Sequence, residues 1–319
     1  MTGYRVLQFP GSHLAGSSLI ARLGYFSFEH GGALVIALTT IVLGSATAAL
    51  SGAWVTSLAC GLLLIVGLPH GALDIVTIRR AAPTEQFAVV GYYFAAAAAM
   101  FAIWWIFPLT SLAAFYVVSI VHFSHDWNNE HQQFFRHAIA VALFSAPTFL
   151  HAEVLRHLFV ALTIDARATL MVDILILVAP VAIAVAVVGL AAMRDRRRSA
   201  EGFCALVAMV FLPPVVGFAV FFCLFHSPRH FRDGWAAISC NVRPVTSVQI
   251  VGMTIAGFGI AASIYAANSF RAVPAGLFEA SMMTLSVLTV PHMLLATIIK
   301  RTATNAGSDQ SSIDGINFF

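Results

Sequence analysis

The sequence predicts an all-α, polytopic integral membrane bundle of about eight to nine apolar segments, and three observations carry that expectation. Of 319 residues, 60% are hydrophobic and only 10% are charged, against about 25% charged in a soluble domain. The apolar residues are gathered into long runs, more than one soluble core would absorb. The arginines and lysines fall mainly in short segments between those runs, as in the loops of a membrane protein.

A spanning helix needs about 20 mostly apolar residues. Residues 1–32 are polar and mixed, an N-terminal interfacial segment without the charged start, short apolar run and small-residue site of a removable signal peptide. Spans follow at 33–51, 54–76, 87–107, 109–127, 134–151, 170–193, 203–226, 246–267 and 277–299. The stretch 152–169 (AEVLRHLFVALTIDARAT) is too charged to span and suits a helix along the interface. Residues 33–301 thus form one transmembrane helical domain. Residues 302–319, rich in Ser, Asn, Asp and Gly, read as a disordered tail.

Basic loops orient the bundle. Arg79 and Arg80 follow the second span, Arg136 the fourth, and Arg194, Arg196, Arg197 and Arg198 the sixth. Single crossings put all three loops on one side, the cytoplasmic face of a cell (inner) membrane. Arg229, Arg232 and Arg243, then Lys300 and Arg301, break the alternation unless 203–226 is not a simple crossing. Pro213-Pro214 sits at its centre, where a proline pair kinks or breaks a helix, and re-entrant segments are tolerated where protein covers the backbone. The net charge of +3 and the dispersed basic residues exclude nucleic acid as a partner. Cys60, Cys204, Cys223 and Cys240 show no paired short spacing and read as buried free thiols.

Twelve histidines in such a chain are the anomaly, because ionisable side chains within a bilayer are costly and functional by default. Six lie in or beside apolar spans: His70 in GLPHGALD, His122 and His125 in VHFSHDW, His226 and His230 in FHSPRH, and His292 in TVPHMLL. His226 and His230 are four apart, which places both rings on one helix face, and His122 and His125 are three apart. His70, His122, His226 and His230 read as metal ligands. His125 and His292 fit either a further ligand or a helix–helix hydrogen bond. A shared centre requires the non-simple crossing of 203–226, since a single crossing would carry His226 and His230 away from His70 and His122.

Imidazole without thiolate suits iron, copper, zinc or nickel. Asp74 lies four residues after His70 and Asp126 four after His122, the spacing at which a carboxylate can hold the far nitrogen of a ligand ring. Phe115, Tyr116, Phe123, Phe221, Phe222 and Phe225 neighbour the candidate ligands. They suit the wall of a tunnel for a rigid polyene, and ordinary helix packing equally well.

GLPHGALD, HFSHDW, FHSPRH and PHMLL together resemble, over roughly residues 60–300, the Brp/Blh family of membrane β-carotene cleavage enzymes. The resemblance implies one ferrous iron per chain, molecular oxygen as co-substrate, and cleavage of the central 15,15′ double bond of β-carotene into two all-trans-retinal molecules. It implies His70, His122, His226 and His230 as the iron ligands and a microbial rhodopsin as retinal acceptor. The chain departs from the family pattern at Ser124-His125, where glycine often follows His-Phe. Carotenoid reaches such an enzyme from the bilayer, and selectivity for the centre would come from tunnel length on each side.

Three rivals differ in class. A di-iron membrane hydroxylase or desaturase uses boxes with adjacent His-His, and none occurs here. A haem electron carrier would use a pair like His137 and His151, but no second span repeats that spacing. A non-enzymatic divalent-metal transporter would show more intramembrane acids than Asp74 and Asp126.

Overall fold

The computed structural model describes residues 53–81, 85–127, 133–236, 243–267 and 273–305. The expected interfacial segment 1–32, the expected span 33–51 and Cys240 lie outside them. Among the described residues all regular elements are helical: α1 (Ala53–Gly71), α2 (Asp74–Ala81), α3 (Gln86–Ile106), α4 (Pro108–Ser124), α5 (Gln133–Ser145), α6 (Thr148–Thr163), α7 (Thr169–Ala192), α8 (Arg196–Phe211), α9 (Pro214–Phe221), α10 (Ser227–Ala236), α11 (Arg243–Ala267) and α12 (Val273–Asn305). The last helix runs four residues into the segment expected to be a disordered tail.

The chain is an all-α polytopic membrane bundle. Trp54–Val76, Gln86–Ile106, Ala166–Ala192, Val245–Ala267 and Ala275–Leu295 are long and apolar enough to cross a membrane. A sixth crossing is made if α5 and α6, which meet at 66°, form one bent span. Helix α7 shows why these helices belong in lipid. Leu170, Ile174, Leu177, Val181 and Val188 are exposed along it at helical spacing, an apolar face that water would not tolerate at this length.

Among the described residues fewer segments than expected pass as full spans, for local causes, and the expected span 33–51 lies outside them. Helix α4 has 17 residues, short of a full span. The expected span 134–151 stops at Ser145, because Pro147 has no N–H to continue the ladder, and α6 restarts at Thr148 rather than 152. The break expected at Pro213-Pro214 is present. Leu212 and Pro213 are extended at ψ 154 and 142, and Pro214 opens α9 where a missing N–H costs nothing.

Helix α12 forms the central post, packing on α1, α3 and α11, while α5 packs on α4 and α7, and α9 on α1 and α8. The buried Trp104 indole donates to Ser286 Oγ at 2.9 Å and ties α3 to α12. Cys60 and Cys204 are buried and Cys223 half-buried, none of the three in a disulfide.

After α9 the backbone widens into a π-turn over Phe222–His226, with the Ser227 N–H donating to the Phe222 carbonyl. Such a turn holds one residue more than an α-turn and is frequent at functional sites. It shifts every following side chain by one position around the helix axis and delivers His226 into the core at 0% exposure.

Candidate metal centre

Four histidines from three stretches of chain meet where α4 ends, the π-turn closes and α12 passes. Ring centroids lie 4.9 Å apart for His122 and His226, 4.4 Å for His226 and His230, and 5.1 Å for His122 and His292. The Nε2 atoms of His122 and His226 stand 3.2 Å apart. Phe123 and Phe222 face His226 at centroid distances of 4.6 and 5.3 Å, so the cluster is walled by aromatic rings.

Each ring is held through one nitrogen by an acceptor. His226 Nδ1 donates to Asp126 Oδ2 at 2.8 Å, and His230 Nε2 to Asp126 Oδ1 at 3.0 Å. His292 Nδ1 lies 2.7 and 2.9 Å from the two Asp74 oxygens. His122 Nδ1 is 3.0 Å from the Met293 thioether sulfur, a weak acceptor.

The carboxylate partners decide the tautomers of His226, His230 and His292. A neutral imidazole that donates through one nitrogen bears a lone pair on the other. With His226 donating through Nδ1 to Asp126, its Nε2 turns a lone pair toward His122 Nε2, an arrangement completed either by an N–H on His122 or by a cation between the two rings. Metal–imidazole bonds of about 2.1 Å place adjacent ligand nitrogens roughly 3.0–3.4 Å apart at tetrahedral to octahedral angles. The observed 3.2 Å falls within that range. The donor chemistry fits a divalent transition-metal ion. Asp126, His226 and His230 also form a compact donor group, their ligand atoms within 4.8 Å of one another.

Asp126 is anchored on its far side. Its backbone carbonyl accepts from Arg229 Nη1 at 3.2 Å and Arg198 Nη1 at 3.4 Å, and Arg229 continues to Glu201. The buried Tyr93 lies near enough to Asp74 for its hydroxyl to feel the carboxylate. Sequence reasoning missed Met293, Tyr93, Arg198, Arg229 and Glu201. Only Arg229, inside FHSPRH, carried a local signal.

The two carboxylates were expected beside the ligand ring one turn earlier, Asp74 with His70 and Asp126 with His122. In the fold Asp74 holds His292, and Asp126 holds His226 and His230. His70 closes α1 next to Gly71, and its side chain lies outside the described residues. His125 sits in the short 3-10 turn after α4, with Nδ1 3.3 Å from the His122 carbonyl oxygen.

The six aromatic residues expected to wall a tunnel divide. Phe123 and Phe222 line a small apolar cavity together with His122 and His292, and Phe115 and Tyr116 line a second. Phe221 is core, stacked on Trp127 at 6.2 Å. Phe225 borders a polar cleft with Arg198 and Arg229.

Comparison with known proteins agrees with this architecture. The family model described as β-carotene 15,15′-dioxygenase matches residues 61–300. The chain is 31% identical over 264 residues to the β-carotene 15,15′-dioxygenase of uncultured marine bacterium 66A03, covering 76% of this chain and 93% of that relative. No solved structure matches. All four histidine motifs fall within the matched residues, and the chain belongs to the β-carotene 15,15′-dioxygenase family.

Proposed function

We propose that this carotenoid-cleaving dioxygenase cuts β-carotene at its central 15,15′ double bond with molecular oxygen, at a single ferrous ion held by histidines, and releases two all-trans-retinal molecules. One observation carries the reading. Two buried imidazoles bring their Nε2 atoms within 3.2 Å of each other, a separation that fits neighbouring ligands of one metal ion, beside an apolar cavity rather than a polar one. The iron would be held by His122, His226 and His230, with His292 joining through Nε2. His70 is retained as a further ligand on the strength of its motif, GLPHGALD, alone.

Bound iron supplies dioxygen binding and activation, chemistry that no side chain here can provide. The chain's residues do the rest. Asp126 and Asp74 keep the donating protons on His226 Nδ1, His230 Nε2 and His292 Nδ1, so the opposite nitrogens stay unprotonated. Phe123 and Phe222 exclude water and offer the polyene flat apolar walls. A hydrocarbon presents no polar handle, so its position against the ion is set by shape alone.

The substrate enters from the bilayer in which it dissolves. The enzyme sits in the inner membrane, and the metal site lies nearer the cytoplasmic side, where Arg198 and Arg229 border it in accord with the positive-inside bias. Retinal passes on to a microbial rhodopsin. Expression in a β-carotene-making bacterial host tests the reading. The cells should lose their orange colour, their extracts should contain retinal, and the purified protein should carry one iron per chain. Two irons per chain with hydroxylated carotenoid would establish the di-iron rival. Metal flux in vesicles without retinal would establish a transporter.

A further inference from the structure

Helix α8 carries no histidine, yet its first two turns grip the residue that aims two of them. Asp126 is buried, and each of its carboxylate oxygens serves one ring, His226 at 2.8 Å and His230 at 3.0 Å. Both bonds must be met at once, and a displacement of about 0.6 Å would carry one of them beyond hydrogen-bond range. The short 3-10 turn His125–Trp127 that bears Asp126 has no long ladder of its own to fix it.

The stiffness comes from α8. Asp195 caps this helix by accepting from the Arg197 and Arg198 N–H groups, which fixes its first turn. Arg198 and Glu201 are three apart and share a face. Arg198 Nη1 donates to the Asp126 carbonyl oxygen at 3.4 Å, and Glu201 Oε2 accepts from Arg229 Nη2. The other arm of the same guanidinium, Nη1, donates to the Asp126 carbonyl oxygen at 3.2 Å and lies 3.7 Å from Asp126 Oδ1. The Arg229 side chain is 14% exposed, whereas Arg197, another partner of Glu201, is 57% exposed, and pairs open to water contribute little. Glu201 therefore acts mainly through Arg229. Gly202 lets the helix come this close. A Cβ there would strike Leu190 Cδ2 and stand 3.2 Å from the indole nitrogen of Trp127, next in the chain to Asp126.

We propose that Glu201 and Arg229 are positioning residues of the metal centre, a clamp through which a helix without ligands fixes Asp126 and, through it, the aim of His226 and His230. The inference rests on the metal-centre reading and deepens it. Metal affinity then depends on a carboxylate, Glu201, that two other residues separate from the rings it serves.

Metal-free protein in detergent is titrated with Co²⁺ alone against a competing chelator, and the visible absorption of the bound ion reports its coordination. Glu201→Ala should weaken Co²⁺ binding about tenfold, the lower end for a ligand's supporting partner because it acts through Arg229, and should shift the absorption. Glu201→Gln keeps an oxygen for Arg229 and should stay close to the parent in both. Arg229→Lys keeps the charge, but a single ammonium cannot replace the two-armed guanidinium between Glu201 and Asp126. It should fall with Glu201→Ala, and it serves if the alanine variant fails to accumulate. A role confined to stability would lower the unfolding temperature of the metal-free protein and leave cobalt affinity and absorption as in the parent. That result, in whichever of the two variants folds, overturns the clamp. A parent protein that takes up neither cobalt nor iron overturns the metal-centre reading, and the clamp with it.

Discussion

His226→Ala is expected to abolish retinal formation and to lower iron content below roughly a tenth of the parent's, beyond the 10–100-fold typical of losing a ligand's supporting partner. The variant removes the ring whose Nε2 faces His122 at 3.2 Å. It also strips Asp126 Oδ2 of its 2.8 Å donor in a fully buried position. The carboxylate keeps His230 and Arg229, so the cost to folding stays near the ~1–3 kcal/mol of one unsatisfied buried group. Iron content and cleavage should therefore collapse while the protein still accumulates. His157→Ala, on the exposed face of α6, should match the parent. An iron-replete, active His226→Ala enzyme would remove this residue from the centre.

Asp126→Asn is expected to weaken iron binding by about 10–100-fold and to do so more severely than Asp74→Asn. The reason is the number of rings served. Asp126 accepts from two histidines, one on each oxygen, whereas Asp74 accepts from one, His292. An amide offers one oxygen and one N–H, so after substitution one of the two rings must accept rather than donate. That ring then carries its proton on the nitrogen otherwise bearing the lone pair, and it can no longer bind a cation there. Titration with a competing chelator gives the affinity, and cleavage at saturating iron separates lost metal from lost geometry. Equal iron affinities for parent and Asp126→Asn would show that the carboxylate does not set the tautomers.

The membrane class was legible because composition alone leaves no soluble alternative, and so was the break at Pro213-Pro214, because proline acts locally. Pro147 was equally visible, yet the apolar run continues across it and hydropathy does not register a 66° bend. His122, His226 and His230 stood out because imidazole is rare in lipid, and the fold brings their rings together. The carboxylates were singled out, and among the described side chains the rings they meet are His292 for Asp74 and His226 and His230 for Asp126. A four-residue spacing implies a shared face only on an unbroken helix, and the turn at Ala72-Leu73 and the 3-10 turn at His125–Trp127 interrupt both cases. Released from those faces, Asp74 reaches α12 and Asp126 reaches the π-turn. Met293 could not be singled out, since a methionine in an apolar helix looks like packing until a ring nitrogen is found against its sulfur.

The extra residue in the turn before His226 sets a limit on engineering this enzyme. Deleting one residue between Phe222 and His226 would restore an ordinary helical ladder and improve the local backbone, yet rotate the imidazole about 100° away from its partners. Redesign that rewards ideal geometry would thus select against turnover. The imperfection in the backbone is what aims the ring.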